Sequence, residues 1–140
     1  MTESKVTQAK VTEVIEKTAT GIEGFDLIAK GGLPKGRTTL IAGTAGSAKT
    51  VFCSQFLAAG VEAADEAGVF VTFEETPDDI RRNMASFGWP ISSWEADGKW
   101  AFVDASPVID EGAVVAGAYD LGALIARIEH AVARVGATRV

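Results

Sequence analysis

The chain has 140 residues, 47% hydrophobic and 23% charged, a size and composition that suit one globular domain with a real core. Its formal charge of −6 argues against a nucleic-acid partner held through phosphates, which calls for a basic face. A single cysteine, Cys53, excludes an internal disulfide and a cysteine-built zinc site and fits a reducing cytoplasm, and no apolar stretch has the length of a membrane span or the placing of a signal peptide.

Residues 1–17 are polar with scattered valines and read as a flexible arm, or as a segment that docks on a neighbour, ahead of a domain over 18–140. Gly21, Gly24, Gly31, Gly32, Pro34 and Gly36 then punctuate a short apolar stretch over 25–29, which predicts a capped turn of helix. The run Arg37-Thr38-Thr39-Leu40-Ile41-Ala42 is apolar and β-branched, and it predicts a buried strand. Residues 49–59 have the composition of a helix, with Cys53 as a small buried residue on it.

Between that strand and that helix lies Gly43-Thr44-Ala45-Gly46-Ser47-Ala48-Lys49-Thr50, which has the spacing of a phosphate-binding loop with Ala48 in place of the second glycine. Small residues let successive backbone N–H groups curl inward around an anion, and the following helix points its positive end at the same place. Lys49 supplies a point charge for the terminal phosphates of ATP, and the Thr50 hydroxyl supplies a ligand for a magnesium ion bridging them. If position 48 requires a positive φ, a Cβ there costs about 1 kcal/mol, whereas in the ordinary helical region the methyl is nearly free. Alanine leaves the N–H donor in place, so the expectation is weakened and not abolished nucleotide binding.

Val69-Phe70-Val71-Thr72-Phe73 and Trp100-Ala101-Phe102-Val103 are nearly continuous in apolar or β-branched residues, as parallel strands covered on both faces should be. Pro77 with Asp78 and Asp79 opens a helix running to about Phe87, which Gly88 ends. Leu121, Leu124, Ile125, Ile128, Val132 and Val135 form a core-packing stripe on a helix with Asp120 as N-cap, and His130 on that helix reads as solvated. Alternating strands and helices give an α/β fold with a mostly parallel sheet, whose ligands bind at the carboxyl ends of the strands. Glu74 and Glu75 fall at that edge. Neighbouring residues there point to opposite sides, so one carboxylate can face a nucleotide and orient or deprotonate an attacking water. Alternatively both favour the following helix start, and spacing leaves the two readings open.

Ile22-Glu23-Gly24-Phe25-Asp26, Gly31-Gly32-Leu33-Pro34, the phosphate loop, the run from Gly68 through Phe73-Glu74-Glu75-Thr76-Pro77, Ser86-Phe87-Gly88-Trp89 and Asp104-Ala105-Ser106-Pro107 together resemble the N-terminal ATPase domain of the KaiC family. This is a branch of the RecA superfamily of P-loop NTPases, and the likeness runs from about residue 20 to the end. The Phe-Glu-Glu-Thr form is similar to the first of the family's two domains, not to the second, which carries autophosphorylation. The resemblance implies that Glu74 is the general base for slow ATP hydrolysis and Glu75 its supporting partner. It implies that Gly46, Ser47, Ala48, Lys49, Thr50 and Val51 line the phosphates, that Thr50 binds magnesium and that Ser86 lies near the base. It also implies a circadian-clock or timer role, a homo-hexameric ring with ATP between subunits, and a KaiB-like partner bound through residues 107–117.

By the same resemblance, Gly136-Ala137-Thr138-Arg139-Val140 looks like the start of a strand that carries a magnesium-supporting aspartate. The chain is therefore expected to be the first portion of a RecA-like domain, with exposed sheet edges and poor catalysis alone. Two other functions share these motifs. A RecA- or RadA-like recombinase would couple ATP to filament formation on DNA, which the acidic composition disfavours, and a non-hydrolysing nucleotide-gated scaffold is suggested by Ala48.

Overall fold

The computed structural model describes residues 14–106 and 120–140. Its elements follow the order β1 (Lys17–Thr18), α1 (Glu23–Ile28), β2 (Leu33–Pro34), α2 (Lys49–Ala63), β3 (Gly68–Thr72), α3 (Pro77–Ala85), α4 (Ile91–Ala96), β4 (Trp100–Asp104) and α5 (Leu121–Val135). β1 and β2 form a small antiparallel pair, and β3 pairs with β4 in parallel with Gly68 opposite Trp100 and Thr72 opposite Asp104.

The parallel pair is the centre of three layers. Side chains alternate across a strand, so each apolar run feeds two cores. Phe70, Trp100 and Phe102 pack on one face with Leu57 and Ala58 of α2, Ile80 and Met84 of α3, and Ile91 of α4. Val69, Val71, Ala101 and Val103 pack on the other face with Leu124, Ile128, Ala131, Val132 and Val135 of α5. Two small residues set how near α2 can lie. A Cβ added at Gly68 would meet Leu57 Cδ2 at 3.0 Å, and one added at Gly60 would stand 2.6 Å from Arg139 Nε.

Helices α3 and α5 start where their sequences say they should. The Thr76 hydroxyl accepts the Asp79 N–H at 3.2 Å with Pro77 at the first helical position of α3. Asp120 accepts the Ala123 N–H at 3.0 Å as N-cap of α5, and Gly136 closes that helix in the left-handed conformation.

Arg139 ties together segments that are far apart in the sequence. Its side chain is buried; Nε donates to Glu66 Oε2 at 2.6 Å, and one terminal nitrogen donates to the Ala19 and Phe56 carbonyls at 2.8 Å each. The guanidinium also lies 4.8 Å from the centre of the Phe56 ring. The Arg139 backbone pairs in parallel beside Gly68, accepting the Val69 N–H at 2.9 Å. Next to this clasp, Asp26 accepts the Thr20 and Gly21 N–H groups and the Thr20 hydroxyl. Burial alone would raise the Asp26 pKa, but these hydrogen bonds and the Arg139 charge outweigh it and hold the carboxyl below its ordinary range.

Several expectations need correction. Residues 37–42 do not form a strand, and Leu40 is 88% exposed. A strand needs a neighbour about 4.8 Å away. Here a cavity of about 660 Å³ separates Thr38, Thr39 and Ile41 from Val69, Phe70 and Val71, so the run has no ladder to join. Cys53 is exposed and not buried, because it faces this same cavity, although the surrounding protein still desolvates the thiol and raises its pKa. The stripe of α5 is core only in part: Leu121 and Ile125 are exposed because the sheet beneath is two strands wide. Helix α4 and the β1–β2 pair were not expected. Residues 107–117, expected to bind a KaiB-like protein, lie among the undescribed residues.

Replacing Arg139 by Met removes the guanidinium from two partly buried carbonyl hydrogen bonds and a partly exposed carboxylate. Chemical denaturation should show a loss of about 2–3 kcal/mol, at or just below the roughly 3–5 kcal/mol for breaking a fully buried pair, because Glu66 retains contact with solvent. A change below about 0.5 kcal/mol, the size of an ordinary surface substitution, would mean that the clasp is not holding the domain.

Candidate functional site

The candidate site is built from the loop before α2, the first turn of α2 and the loop after β3. In the first of these, the Ser47 N–H donates to the Thr44 carbonyl at 3.2 Å and Gly46 has a φ of +78°. Gly43 is closely overhung by Ser47, whose hydroxyl would collide with any Cβ at that position. Ala48 sits at the N-cap of α2 with φ 61° and ψ 28°, the left-handed conformation. Position 48 therefore has the geometry that favours glycine, and alanine holds it at a cost of about 1 kcal/mol.

The first hydrogen bond of α2 runs from the Phe52 N–H to the Ala48 carbonyl at 2.9 Å. The N–H groups of Lys49, Thr50 and Val51 precede it and have no intrahelical acceptor, so they are available to an anion at the positive end of the helix. Val51 can contribute only its backbone, since its side chain packs against the core. Lys49 Nζ donates to the Gly43 carbonyl at 3.0 Å and to the Thr44 carbonyl at 2.9 Å. The lysine thus folds back over its own loop and satisfies its charge on two carbonyl dipoles.

Across from the loop, the two carboxylates are held differently. The Thr50 hydroxyl donates to Glu75 Oε1 at 2.9 Å, joining positions 25 residues apart. The Glu75 carbonyl accepts the Thr72 hydroxyl at 2.6 Å, and the Thr72 carbonyl in turn accepts the Ala105 N–H at 2.7 Å. Glu75 is half-buried. Glu74 is exposed and forms no side-chain hydrogen bond with any described residue. Ser86 lies at the end of α3, where its hydroxyl donates to the Asn83 carbonyl at 2.8 Å, away from any recorded contact with the loop.

Sequence reasoning missed Thr72, whose only signal was a hydroxyl at the last position of a strand next to an acidic pair. Asp104, at the same edge on β4, was quoted only as part of a family motif. The Ser106 hydroxyl and N–H hold its carboxyl below the ordinary range, opposed by slight desolvation and helped by the Arg127 charge.

Chemically, the loop can hold an anion through backbone N–H groups, and the Thr50 oxygen, its proton engaged by Glu75, can hold a hard cation. Among the described residues no three acidic, histidine or cysteine side chains converge as a metal cluster. A cation at Thr50 would therefore draw its remaining ligands from phosphate oxygens and water. That donor set fits magnesium, which keeps several waters and binds through few protein groups plus substrate phosphates.

A family model described as "ATPase: KaiC" matches residues 18–140. The Circadian clock protein KaiC3 of Synechocystis sp. is 62% identical over 129 residues, covering 92% of this chain and 25% of that protein. The Circadian clock oscillator protein KaiC of Thermosynechococcus vestitus is 51% identical over 138 residues, 99% of this chain and 26% of its own length. The protein of that name from Synechococcus elongatus is 52% identical over 128 residues, 91% of this chain and 24% of its own. The chain spans about a quarter of the length of the curated relatives it matches.

The left-handed Ala48 makes a direct prediction. Ala48→Gly removes the Cβ strain and should raise stability to chemical denaturation by up to about 1 kcal/mol, reduced by the greater freedom of glycine in the unfolded chain. A clear loss of stability would show that the loop does not rest in this conformation.

Proposed function

This chain belongs to the KaiC ATPase family, which has a RecA-like P-loop fold, and from that premise we propose that it binds ATP with magnesium in the loop 43–50 and hydrolyses it slowly. The observation that carries this reading is the 2.9 Å bond between Thr50 and Glu75, which brings the loop's hydroxyl to the acidic pair at the end of β3. Gly43, Thr44, Gly46, Ser47, Ala48, Lys49, Thr50 and Val51 form the phosphate cradle, mostly through backbone N–H groups. Lys49 exchanges its two loop carbonyls for the terminal phosphates when nucleotide arrives. Thr50 would hold the magnesium ion, which would supply positive charge against the phosphate oxygens.

Glu74 takes the proton of the attacking water. Its exposure supports this role, because an unengaged carboxylate can turn toward the terminal phosphate, whereas Glu75 is already committed to Thr50. The same freedom supports a low rate, since a base that no described side chain or backbone group holds is poorly preorganised. Glu75 supports the base, and Ser86 lies near the base in the assembled site.

The whole protein, in this proposal, is cytoplasmic and acts in a circadian clock or timer as a homo-hexameric ring with ATP between subunits. Residues 18–140 are the first portion of its ATPase domain, residues 1–17 an arm, residues 107–117 the contact for a KaiB-like partner, and a second domain a possible site of autophosphorylation. Nothing in the acidic composition favours a recombinase acting on DNA.

Glu74→Gln in the intact protein should lower ATP turnover by about 100-fold or more while leaving nucleotide binding in place, the size expected for loss of a general base. Turnover equal to wild type would remove Glu74 from the chemistry.

A further inference from the structure

The structure separates two neighbouring carboxylates that sequence could only pair, and the separation assigns Glu75 a task of its own. Resting on the ATP–magnesium reading above, we propose that Glu75 is the positioning residue for the loop's cation ligand, acting by accepting the Thr50 hydroxyl proton and thereby turning the oxygen's lone pairs toward the metal.

A threonine hydroxyl has one proton to donate and two lone pairs to offer. On a helix its χ1 divides between two rotamers, because the hydroxyl can also bond back to the preceding turn. The 2.9 Å bond to Glu75 Oε1 selects one arrangement and uses the proton, so the lone pairs remain for a cation at the loop mouth. Glu75 can do this because its backbone is held in place. Its carbonyl accepts the Thr72 hydroxyl at 2.6 Å, and Thr72 ends the strand that pairs with β4. A metal on the oxygen makes the hydroxyl a stronger donor, so metal binding and the Thr50–Glu75 bond reinforce each other, as outer-shell acceptors do at metal sites. Glu74, exposed and unbonded among the described residues, has no such link to the cation ligand.

The test is magnesium titration of the intact protein with a fluorescent, non-hydrolysable ATP analogue, read as the magnesium concentration at half-maximal binding. Glu75→Ala should need about tenfold more magnesium than wild type, within the range for loss of an outer-shell ligand, while Glu75→Gln, whose amide oxygen can accept the same bond, should stay within about threefold. Binding without metal should persist in both Glu75 variants and be no weaker than in wild type, because each removes a carboxylate that repels the phosphates, which also shows that they fold, and Glu74→Gln should keep a magnesium midpoint within about threefold of wild type. A wild-type midpoint in Glu75→Ala would overturn the proposal while leaving the nucleotide site standing. A Glu75→Gln midpoint as weak as that of Glu75→Ala would also overturn it, because charge and not the hydrogen bond would then be at work. Failure of wild type to bind the analogue at all would overturn the nucleotide reading and this assignment together.

Discussion

The site depends on how closely α2 lies against β3. Gly68 has no side chain where Leu57 crosses it, and a single methyl there would already press on the leucine at 3.0 Å. That contact holds the helix over the strand, and both then reach the same edge of the sheet. The first turn of α2 presents Thr50, and the turn after β3 presents Glu75. Their hydrogen bond follows from a packing distance set at the start of β3 and midway along α2, 7 residues along the helix from Thr50 to Leu57. Arg139 secures the same arrangement from behind, through the Phe56 carbonyl and against Gly60 of α2, while its backbone pairs beside β3.

Charge is distributed so that an incoming polyanion completes the site. Lys49 is tethered to two carbonyls of its own loop, and the N–H groups of the first turn of α2 precede the first intrahelical bond of that helix. Both are arrangements that a phosphate improves, since it offers full negative charge in place of carbonyl dipoles and water. The two carboxylates opposite would repel that phosphate if no cation stood between them. Anion site and cation site are therefore interdependent, and Thr50, bonded to one carboxylate and lying on the loop, is where they meet.

Much of this was legible in the sequence because it is local. The loop spacing, Pro77 and Thr76 at the start of α3, Asp120 at the start of α5 and the apolar runs of β3 and β4 each carry their signal within a few residues. What was not legible depends on partners distant in the chain. The run over 37–42 has the composition of a strand, but strand formation requires a neighbour, and the cavity beside β3 separates it from one. Cys53 looked like a core residue until the same cavity exposed it. The φ of Ala48 follows from how the loop joins α2, and the division of labour between Glu74 and Glu75 follows from a bond spanning 25 residues. Family resemblance did supply the roles of adjacent residues as a pair, but it took the geometry to distinguish one from the other.

The most direct measurement is a crystal structure of the intact protein with magnesium and a non-hydrolysable ATP analogue. The phosphates should lie in the loop 43–50, with Lys49 Nζ released from the Gly43 and Thr44 carbonyls onto the terminal phosphate and the Thr50 oxygen on the metal. Nucleotide bound elsewhere, or bound with Lys49 still on its own carbonyls and Thr50 remote from the metal, would contradict the account.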